Sequence, residues 1–481
     1  MKHKNFPTIK FQELLSEPLR NGIYKKKEFH GSGSKIVNMG ELFAYPRLKS
    51  NIQMKRVELN ANEKAKATLQ DGDLIFARRS LTAEGAGKCS IVLSVNEETT
   101  FESSIIRARL NTDIANPEFY YYFFSSIYGK LALGTILRQV AVAGITGSDL
   151  AQLEVPYPPK ALQDKIAEIS KDFDEKIELN TQTNQTLESI AQAIFKSWFV
   201  DFEPVKAKMA VLAEGGTREQ AEMAAMGAIS GKSEAELAQL QQQNPEHYQQ
   251  LAETAALFPS AMVESELGEI PEGWEVGRIG DIALAKGGYA FKSNEFEAKG
   301  NKVVKIKNIT GDGRVDLTDC DCVKHPQPEK LNRFKITNGD LLMAMTGATV
   351  GKIGIAISGN DYVYLNQRVA KFESKIKTQK VSWFLFPCIQ QKSVFDTVVG
   401  SAQGSAQPNI SSAEIERTEI VVPDENLISE YCEFVDAFFK KWMANNILNI
   451  ELANLRDSLL PKLLSGEILL GDCGESNLIS I

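Results

Sequence analysis

Three groups of residues in this sequence could perform chemistry, and the first resembles a phosphate-binding loop. The segment Gly347-Ala348-Thr349-Val350-Gly351-Lys352-Ile353 joins two glycines to a lysine. A phosphate-binding loop needs four residues between its glycines and a magnesium-binding serine or threonine after its lysine. Here three residues lie between the glycines and an isoleucine follows the lysine. The segment therefore predicts no nucleotide site.

A second group resembles the motif with which amino-methyltransferases hold the target amine, Asn-Pro-Pro followed by an aromatic residue. The stretch Asn116-Pro117-Glu118-Phe119 has an acid in place of the second proline, and no glycine-rich turn elsewhere suits S-adenosylmethionine. An acid in this position is favourable at the positive end of a helix dipole. We therefore expect a helix to begin here, not a methyltransferase site.

A third group could serve a magnesium-dependent nuclease, which needs acids that converge on the metal and a nearby lysine. Asp361, Glu373 and Lys375 have these types, but 62 acidic and 54 basic residues offer such sets by chance. The six cysteines lack the paired spacing of a zinc site, and the four histidines are far apart. The sequence predicts a non-catalytic chain without a metal or cofactor of its own, with the nuclease as the alternative.

What remains is a set of basic residues beside glycines and polar residues. Arginine can bind guanine by paired hydrogen bonds in the major groove, whereas lysine mainly contacts phosphate. The net charge of −8 conceals +6 over residues 1–160 and −11 over residues 161–270, so local DNA-binding surfaces remain open. The candidates for contact with double-stranded DNA are Arg47, Lys49, Arg78, Arg79, Lys88, Lys305, Lys307, Arg314, Lys352 and Arg368.

The two halves of the chain are similar to each other at a displacement of about 265 residues. Residues 71–75 recur as 338–342, each as a turn that enters a buried strand. Residues 145–150 correspond to 410–415, where a hydroxyl residue precedes an acid by three positions, the pattern of a helix start. Because these segments follow in the same order in both halves, the sequence predicts that one structural unit occurs twice. Each copy has a short helix and then a strand that ends in Val-Pro.

Each unit leads into a long helix with interior residues seven apart. Asn180 in the first helix and Asn445 in the second take the same interior position, which suits a two-stranded coil whose register is fixed by a buried polar residue. We expect the two helices to pair with each other, and the alternative is that each packs on its own domain. The pairing candidates are Ile166, Phe173, Asn180, Leu187, Ile194, Phe438, Asn445, Leu452 and Leu459.

These patterns predict an α/β (α+β) protein of two mixed domains, each followed by a long helix. The chain is 43% hydrophobic, as in folded soluble proteins. Its start does not resemble a secretory signal and no apolar run approaches about 20 residues, so we expect a cytoplasmic protein that does not enter a membrane. The predicted bounds are 1–160 for the first domain, 161–205 for the first helix region, 206–262 for a helical or flexible connector, 263–428 for the second domain, 429–470 for the second helix region and 471–481 for a tail.

Three motifs resemble those of the specificity subunits of type I restriction-modification enzymes. The first is Gly404-Ser405-Ala406-Gln407-Pro408-Asn409-Ile410, which a short helix, a strand ending in proline and a long helix follow. The second spans 194–204, after the first long helix, and the third spans 459–468, after the second. The first half departs from the family pattern, because it has Ala143-Gly144-Ile145 where the second has Gln-Pro-Asn-Ile.

The resemblance implies that the two domains are target-recognition domains, each reading one part of a bipartite, asymmetric DNA sequence. It implies that the two helices pair antiparallel as a coiled coil and set the spacer between the half-sites. It also implies that two copies of a methylation subunit, which binds S-adenosylmethionine, dock on the chain. The restriction (motor-nuclease) subunits, which depend on ATP and Mg, would bind through these methylation subunits. The assembled enzyme would serve in phage defence. Besides the nuclease, a coiled-coil scaffold that does not bind DNA stays open, because the total charge is acidic.

Overall fold

The computed structural model describes residues 6–82, 84–139, 143–324, 329–359, 361–402 and 408–468. The predicted tail at 471–481 and residues 404–407 of the first family-like motif lie outside these ranges. The chain divides into two compact units, Met1–Glu178 with Asn449–Ile481 and, as the second, Leu179–Leu448. Each unit therefore contains a part of both long helices.

A five-stranded sheet forms the centre of the first unit. Its middle strand, Leu74–Ala77, pairs antiparallel with a strand on either side. Leu74 and Phe76 belong to one hydrophobic cluster, and Ile75 and Ala77 belong to another. Both faces of the strand are thus covered, which explains its continuous apolar sequence. The strand order is Arg20–Asn21, Ile105–Ala108, Leu74–Ala77, Cys89–Val92 and Arg47–Leu48.

The second unit has a central sheet with the same order and the same strand directions. Strand Leu341–Ala344 again pairs antiparallel on both sides, and the edge strand Gly313–Arg314 again runs parallel to its neighbour. This is the repeat that the sequence predicted, now seen as an identical strand plan. The order is Ala283–Gly287, Val369–Ser374, Leu341–Ala344, Ile353–Ile355 and Gly313–Arg314.

Smaller sheets and short helices complete each unit. A helix begins at Pro117, as predicted, because the Asn116 side chain accepts the Phe119 amide at 3.1 Å. The other strands of the first unit are Thr8–Lys10, His30–Val37, Lys55–Val57, Arg79–Ser80, Thr99–Phe101, Arg138–Gln139, Ala143–Gly144 and Glu154–Pro156, and its short helices are Met39–Ala44, Ala61–Ala67, Pro117–Ser125, Ile127–Thr135 and Gly147–Gln152.

The second unit also contains four helices between the first long helix and its own sheets. These are Glu203–Ala213, Arg218–Ser230, Glu234–Gln243 and Pro245–Ala256. Its later helices are Ile279–Ile282, Val381–Gln390, Lys392–Ser401 and Ser412–Glu416, and its other strands are Met262–Ser265, Gly268–Pro271, Glu275–Arg278, Phe296–Glu297, Asn301–Val304, Asp321–Val323, Lys335–Ile336, Val363–Leu365 and Glu419–Val422.

The two long helices span Lys160–Phe199 and Glu425–Ser465. In the first unit, Ile166 near the start of the first helix lies in one hydrophobic cluster with Leu463 near the end of the second. In the second unit, the Tyr431 hydroxyl donates to the carbonyl of Ala191 at 3.2 Å. Both pairings run antiparallel, which confirms the predicted coil. None of the helices in the described ranges is both long and apolar enough to cross a membrane.

Candidate nucleic-acid interface

One group of loops lies at the end of the central strand of the first unit and is called the first loop cluster (residues 78–82, 84–88, 102–104 and 143–146). Arg78 holds it together through its backbone. Its amide donates to the carbonyl of Ser104 at 2.8 Å, and its carbonyl accepts the amide of Ile145 at 3.0 Å. Arg78 is half-buried and Arg79 is exposed. The backbone is therefore fixed while the Arg79 side chain can reach a ligand.

The second unit has the same backbone frame, called the second loop cluster (residues 345–352, 366–368 and 408–410). The amide of Met345 donates to the carbonyl of Arg368 at 3.0 Å, and its carbonyl accepts the amide of Ile410 at 2.9 Å. Met345 thus takes the position of Arg78. The same backbone arrangement thus carries different side chains in the two units. Two domains that each contact a different DNA sequence would need such a difference.

Two lysines take equivalent positions in the two clusters. The backbone carbonyls of Lys88 and Lys352 each accept an amide from the last residue of the central strand at 2.9 Å. The Lys88 side chain donates to the carbonyl of Phe43 at 2.8 Å and lies over its ring. Burial, and then the charge of Lys130, lowers the pKa of Lys88. A phosphate bound beside Lys88 would relieve its repulsion with Lys130.

Arg368 lies exposed in the second loop cluster beside two amides. Its Nη1 donates to Oδ1 of Asn409 at 3.5 Å, and its backbone amide donates to Oδ1 of Asn366 at 3.3 Å. Arginine and asparagine are the residue types that form paired hydrogen bonds with guanine and adenine. The second loop cluster therefore groups side chains suited to base recognition.

The other five predicted DNA contacts lie outside the loop clusters, each beside a carboxylate. In the first unit, Arg47 lies 4.0 Å from Asp174, and Lys49 lies 2.5 Å from Glu178. These two contacts join the sheet edge to the first long helix. The acids offset part of the positive field that phosphate would meet.

In the second unit the acids come from the segment 312–321, and Asp321 begins a strand. Lys305 lies 2.5 Å from Asp321, and a hydrogen bond to Asp319 raises the pKa of Lys307. The guanidinium of Arg314 pairs with the carboxylate two residues earlier at 2.5 Å.

A cleft of about 1210 Å³ opens in the first unit between the sheet edge and the helix pair. Asp174 lines this cleft, where it accepts a hydrogen bond from the Tyr122 hydroxyl at 2.9 Å and pairs with the guanidinium of Arg456. Burial alone would lower the pKa of Arg456, but the carboxylates of Asp174 and Asp457 together outweigh it and the pKa is raised. Asp174 thus links the helix Pro117–Ser125, which carries Tyr122, to the second long helix.

In the second unit, buried asparagines join the two long helices. The side-chain amide of Asn445 donates to Oδ1 of Asn184 at 2.9 Å, and Asn184 donates to the carbonyl of Trp442 at 3.2 Å. Asn180, four residues earlier, is also buried. Of the other pairing candidates, Ile166 is fully buried, while Phe173, Leu187, Ile194, Phe438, Leu452 and Leu459 are partly buried.

The residues of the nuclease hypothesis each have another partner. Asp361 lies 2.7 Å from Lys302, Glu373 pairs with a lysine on the neighbouring strand, and Lys375 donates to a backbone carbonyl. In the part of the chain that the structure describes, no group of three or more His, Cys, Asp and Glu side chains could hold a metal ion.

Known proteins resemble this chain over most of its length. Residues 12–189 and 271–452 match the type I restriction modification DNA specificity domain. The chain belongs to this family. The two matched segments cover both halves, so the family resemblance predicted from the sequence motifs is confirmed, together with the two-domain α/β fold. As a specificity subunit, the chain serves DNA target recognition and is non-catalytic.

Individual relatives agree with this assignment. The HindI specificity subunit of Haemophilus influenzae is 34% identical over 415 residues, 84% of this chain and 88% of the relative. The MjaIX specificity subunit of Methanocaldococcus jannaschii is 25% identical over 450 residues, 92% of this chain and 89% of the relative. The crystal structure of a type I S subunit from M. genitalium has a TM-score of 0.51 at 15% identity, covering 96% of this chain and 97% of that one, and so supports the fold.

Sequence reasoning missed several residues that organise this specificity subunit. Asn184 follows Asn180 by one helical turn, a spacing that places both on the same face. Asp174 and Arg456 carry opposite charges, but the sequence gives no sign that they meet. Their contact depends on the register of two helices that are far apart in the chain.

Proposed function

We propose that the two loop clusters are the DNA-reading surfaces, one for each half of a split target. The observation that carries the proposal is the repeated backbone frame, in which Arg78 and Met345 occupy the same position with different side chains. A fixed frame with exchangeable side chains allows each unit to read its own bases. The domain bounds that we propose are 1–160 and 263–428, and the helix regions are 161–205 and 429–470.

Within this proposal, the ten basic residues have two kinds of role. Arg78, Arg79 and Arg368 contact base edges, because arginine can bind guanine through two hydrogen bonds. Lys88 and Lys352 contact phosphate next to them. The carboxylate-paired residues hold weaker phosphate contacts at the edges of the DNA, and these are Arg47, Lys49, Lys305, Lys307 and Arg314.

We also propose the partners of the chain. The relatives are named as subunits of type I restriction enzymes, which supports docking of methylation and restriction subunits. The finer proposal is two methylation subunits, which bind S-adenosylmethionine, and restriction subunits that use ATP and Mg. Leu179 and Ile190 of the long first helix are 55% and 40% exposed, and a partner would cover them. The assembled complex acts in the cytoplasm.

The first experiment is a single-molecule methylation map of the host genome with the gene present, deleted and restored. We expect one split, adenine-methylated motif to disappear on deletion and to return with the restored gene. A motif that persists without the gene would contradict the proposal. The mass of the purified complex measures the number of methylation subunits, for which two is expected.

Two further measurements address the alternatives. Binding of the assembled complex to its target should weaken steeply with salt, because phosphate contacts release counterions. Binding that is insensitive to salt would favour a scaffold. Cleavage of DNA by the purified chain with Mg²⁺ alone, lost in Asp361→Ala, would favour the nuclease.

A further inference from the structure

A small three-stranded sheet at the first loop cluster carries an arginine that the sequence motifs did not single out. Arg138 pairs with Gly144 on the adjacent antiparallel strand, and Gly144 pairs with Arg79 on the third strand. Residues directly opposite each other in antiparallel strands carry their side chains on the same face. Arg138 and Arg79 therefore share one face, and two strand spacings place them about 10 Å apart.

Gly144 keeps the space between these arginines open. A Cβ at this position would lie 2.8 Å from the carbonyl oxygen of Arg78 and 3.7 Å from Cγ of Arg79. A larger residue would therefore displace the backbone of the neighbouring strand. Because Gly144 has no side chain, no side chain stands between Arg138 and Arg79 along this row of the sheet.

A carboxylate orients the guanidinium of Arg138. Its Nε and Nη2 donate to Oδ2 and Oδ1 of Asp149 at 2.9 and 3.0 Å, while 61% of the side chain stays exposed. A guanidinium has five N–H donors in a rigid fork, and this contact uses one on Nε and one on Nη2. The remaining donors, on Nη1 and Nη2, form the edge that faces away from Asp149. That edge can donate two hydrogen bonds to O6 and N7 of guanine.

Asp149 and Glu414 are corresponding acids in the two units, but only Glu414 completes a helix cap. Asp149 binds Arg138 instead. The hydroxyl of Thr146 accepts the amide of Asp149 at 3.1 Å, as in an ordinary helix start. In the second unit, the carboxylate of Glu414 also returns to the backbone amide of Ser411 at 2.7 Å. The carboxylate of Asp149 turns to Arg138 instead. The two units thus use the same position for different purposes.

We propose that Arg138 is a further specificity-determining residue, which reads a guanine in the major groove, and that Asp149 is the residue that positions it. The proposal rests on the proposed function, because it assumes that the first unit reads one half-site. The major groove admits a two-stranded β-ribbon. A separation of about 10 Å corresponds to roughly three base-pair steps, so Arg79 meets the DNA about three pairs from Arg138.

The test uses the full chain assembled with its methylation subunit and a DNA library randomised at every position of both half-sites. Sequencing of the methylated molecules gives the base preference at each position. We expect Arg138→Ala and Arg138→Lys to lower the preference for guanine at one position of one half-site by about 5- to 100-fold. Lysine keeps the charge and the exposure, so a folding defect would not explain its effect.

Asp149 variants test the positioning role. Asp149→Asn should lower the same preference by about 2- to 10-fold, since the amide can still accept one hydrogen bond. Asp149→Glu should behave like Asp149→Asn, because the longer acid can return to its helix start as Glu414 does. Lys160→Ala is the control, since it removes another carboxylate-paired cation of this unit, half-buried and 2.7 Å from Asp164, and should leave every preference unchanged.

The outcomes separate this proposal from the proposed function. If the wild-type complex prefers a split target and Arg138→Ala keeps every base preference, the role of Arg138 is overturned and half-site reading stands. A uniform fall at all positions of one half-site would overturn it too, because a phosphate contact would act in that way. A wild-type complex with no split preference would instead contradict the proposed function.

Discussion

The side-chain amide of Asn445 donates a 2.9 Å hydrogen bond to Oδ1 of Asn184, and both side chains are buried between the long helices of the second unit. A buried polar pair of this kind contributes little net stability when both partners are present. It penalises any register in which one partner meets an apolar side chain. The pair therefore fixes the alignment of the two helices more than it strengthens their contact.

Replacing one member of this pair should destabilise the second unit. Asn445→Leu leaves the amide groups of Asn184 with fewer partners, at an expected cost of about 1–3 kcal/mol. Chemical unfolding of the full chain measures the change. The double variant Asn184→Leu with Asn445→Leu should cost less than the sum of the single variants. Strictly additive costs would show that the two side chains do not interact.

The sequence predicted much of the fold because its signals are local. The turn at residues 71–75, its repeat at 338–342 and the capping pattern at Ser411 and Glu414 each depend on neighbouring residues. The heptads predicted the helix pair for the same reason. The partner of Asn445 could not be predicted, because heptad positions do not specify the axial register of two antiparallel helices.

The candidate site was less predictable than the fold. Basic residues could be recognised by type, but their partners come from distant segments. Lys49 pairs with Glu178, 129 residues later in the chain. Arg138 gave no signal in the sequence, because its role depends on a three-stranded sheet and on the direction of the Asp149 side chain. Contacts made by tertiary packing decide which of the many charged residues remain available to a ligand.

Asp436 should make the stability of the second unit sensitive to acid. Burial alone would raise its pKa, but hydrogen bonds from Lys440, Lys380 and Trp383 outweigh this effect and hold the pKa below its ordinary value of 3.8. A carboxyl whose pKa is lower in the folded state stabilises fully above the unfolded pKa and loses this contribution as the pH falls through the folded pKa.

The measurement compares urea unfolding of the wild type and Asp436→Asn between pH 3 and 7. We expect the wild type to be more stable at neutral pH and the difference to shrink below about pH 4. A matched control is Asp396→Asn, because the side chain of this acid of the second unit is 56% exposed. A difference that stays constant down to pH 3 would show that Asp436 does not gain its stabilising effect from ionisation.

Substitutions in the two loop clusters should have separable effects on target recognition. Arg79→Ala should relax one half-site, with each lost base contact worth about 1–3 kcal/mol, and leave the other half-site intact. Arg368→Ala should do the reverse. Methylation of libraries randomised in each half-site measures both effects. Equal loss at both half-sites would contradict the modular reading of DNA.

Shortening both long helices should alter the spacer between the half-sites. Removing residues 175–181 and 448–454 together deletes one heptad from each helix and retains both Asp174 with Arg456 and Asn184 with Asn445. Seven residues at 1.5 Å each shorten a helix by about 10 Å, which corresponds to roughly three base pairs. The new spacer can be read from a methylation map.

Removal of the heptad from one helix alone is the control, because it breaks the register of the antiparallel pair and should impair assembly. The double deletion keeps the heptad phase and should assemble normally. An assembled complex with an unchanged spacer would show that the helices do not set the distance between the half-sites, since their length would then have no effect on the target.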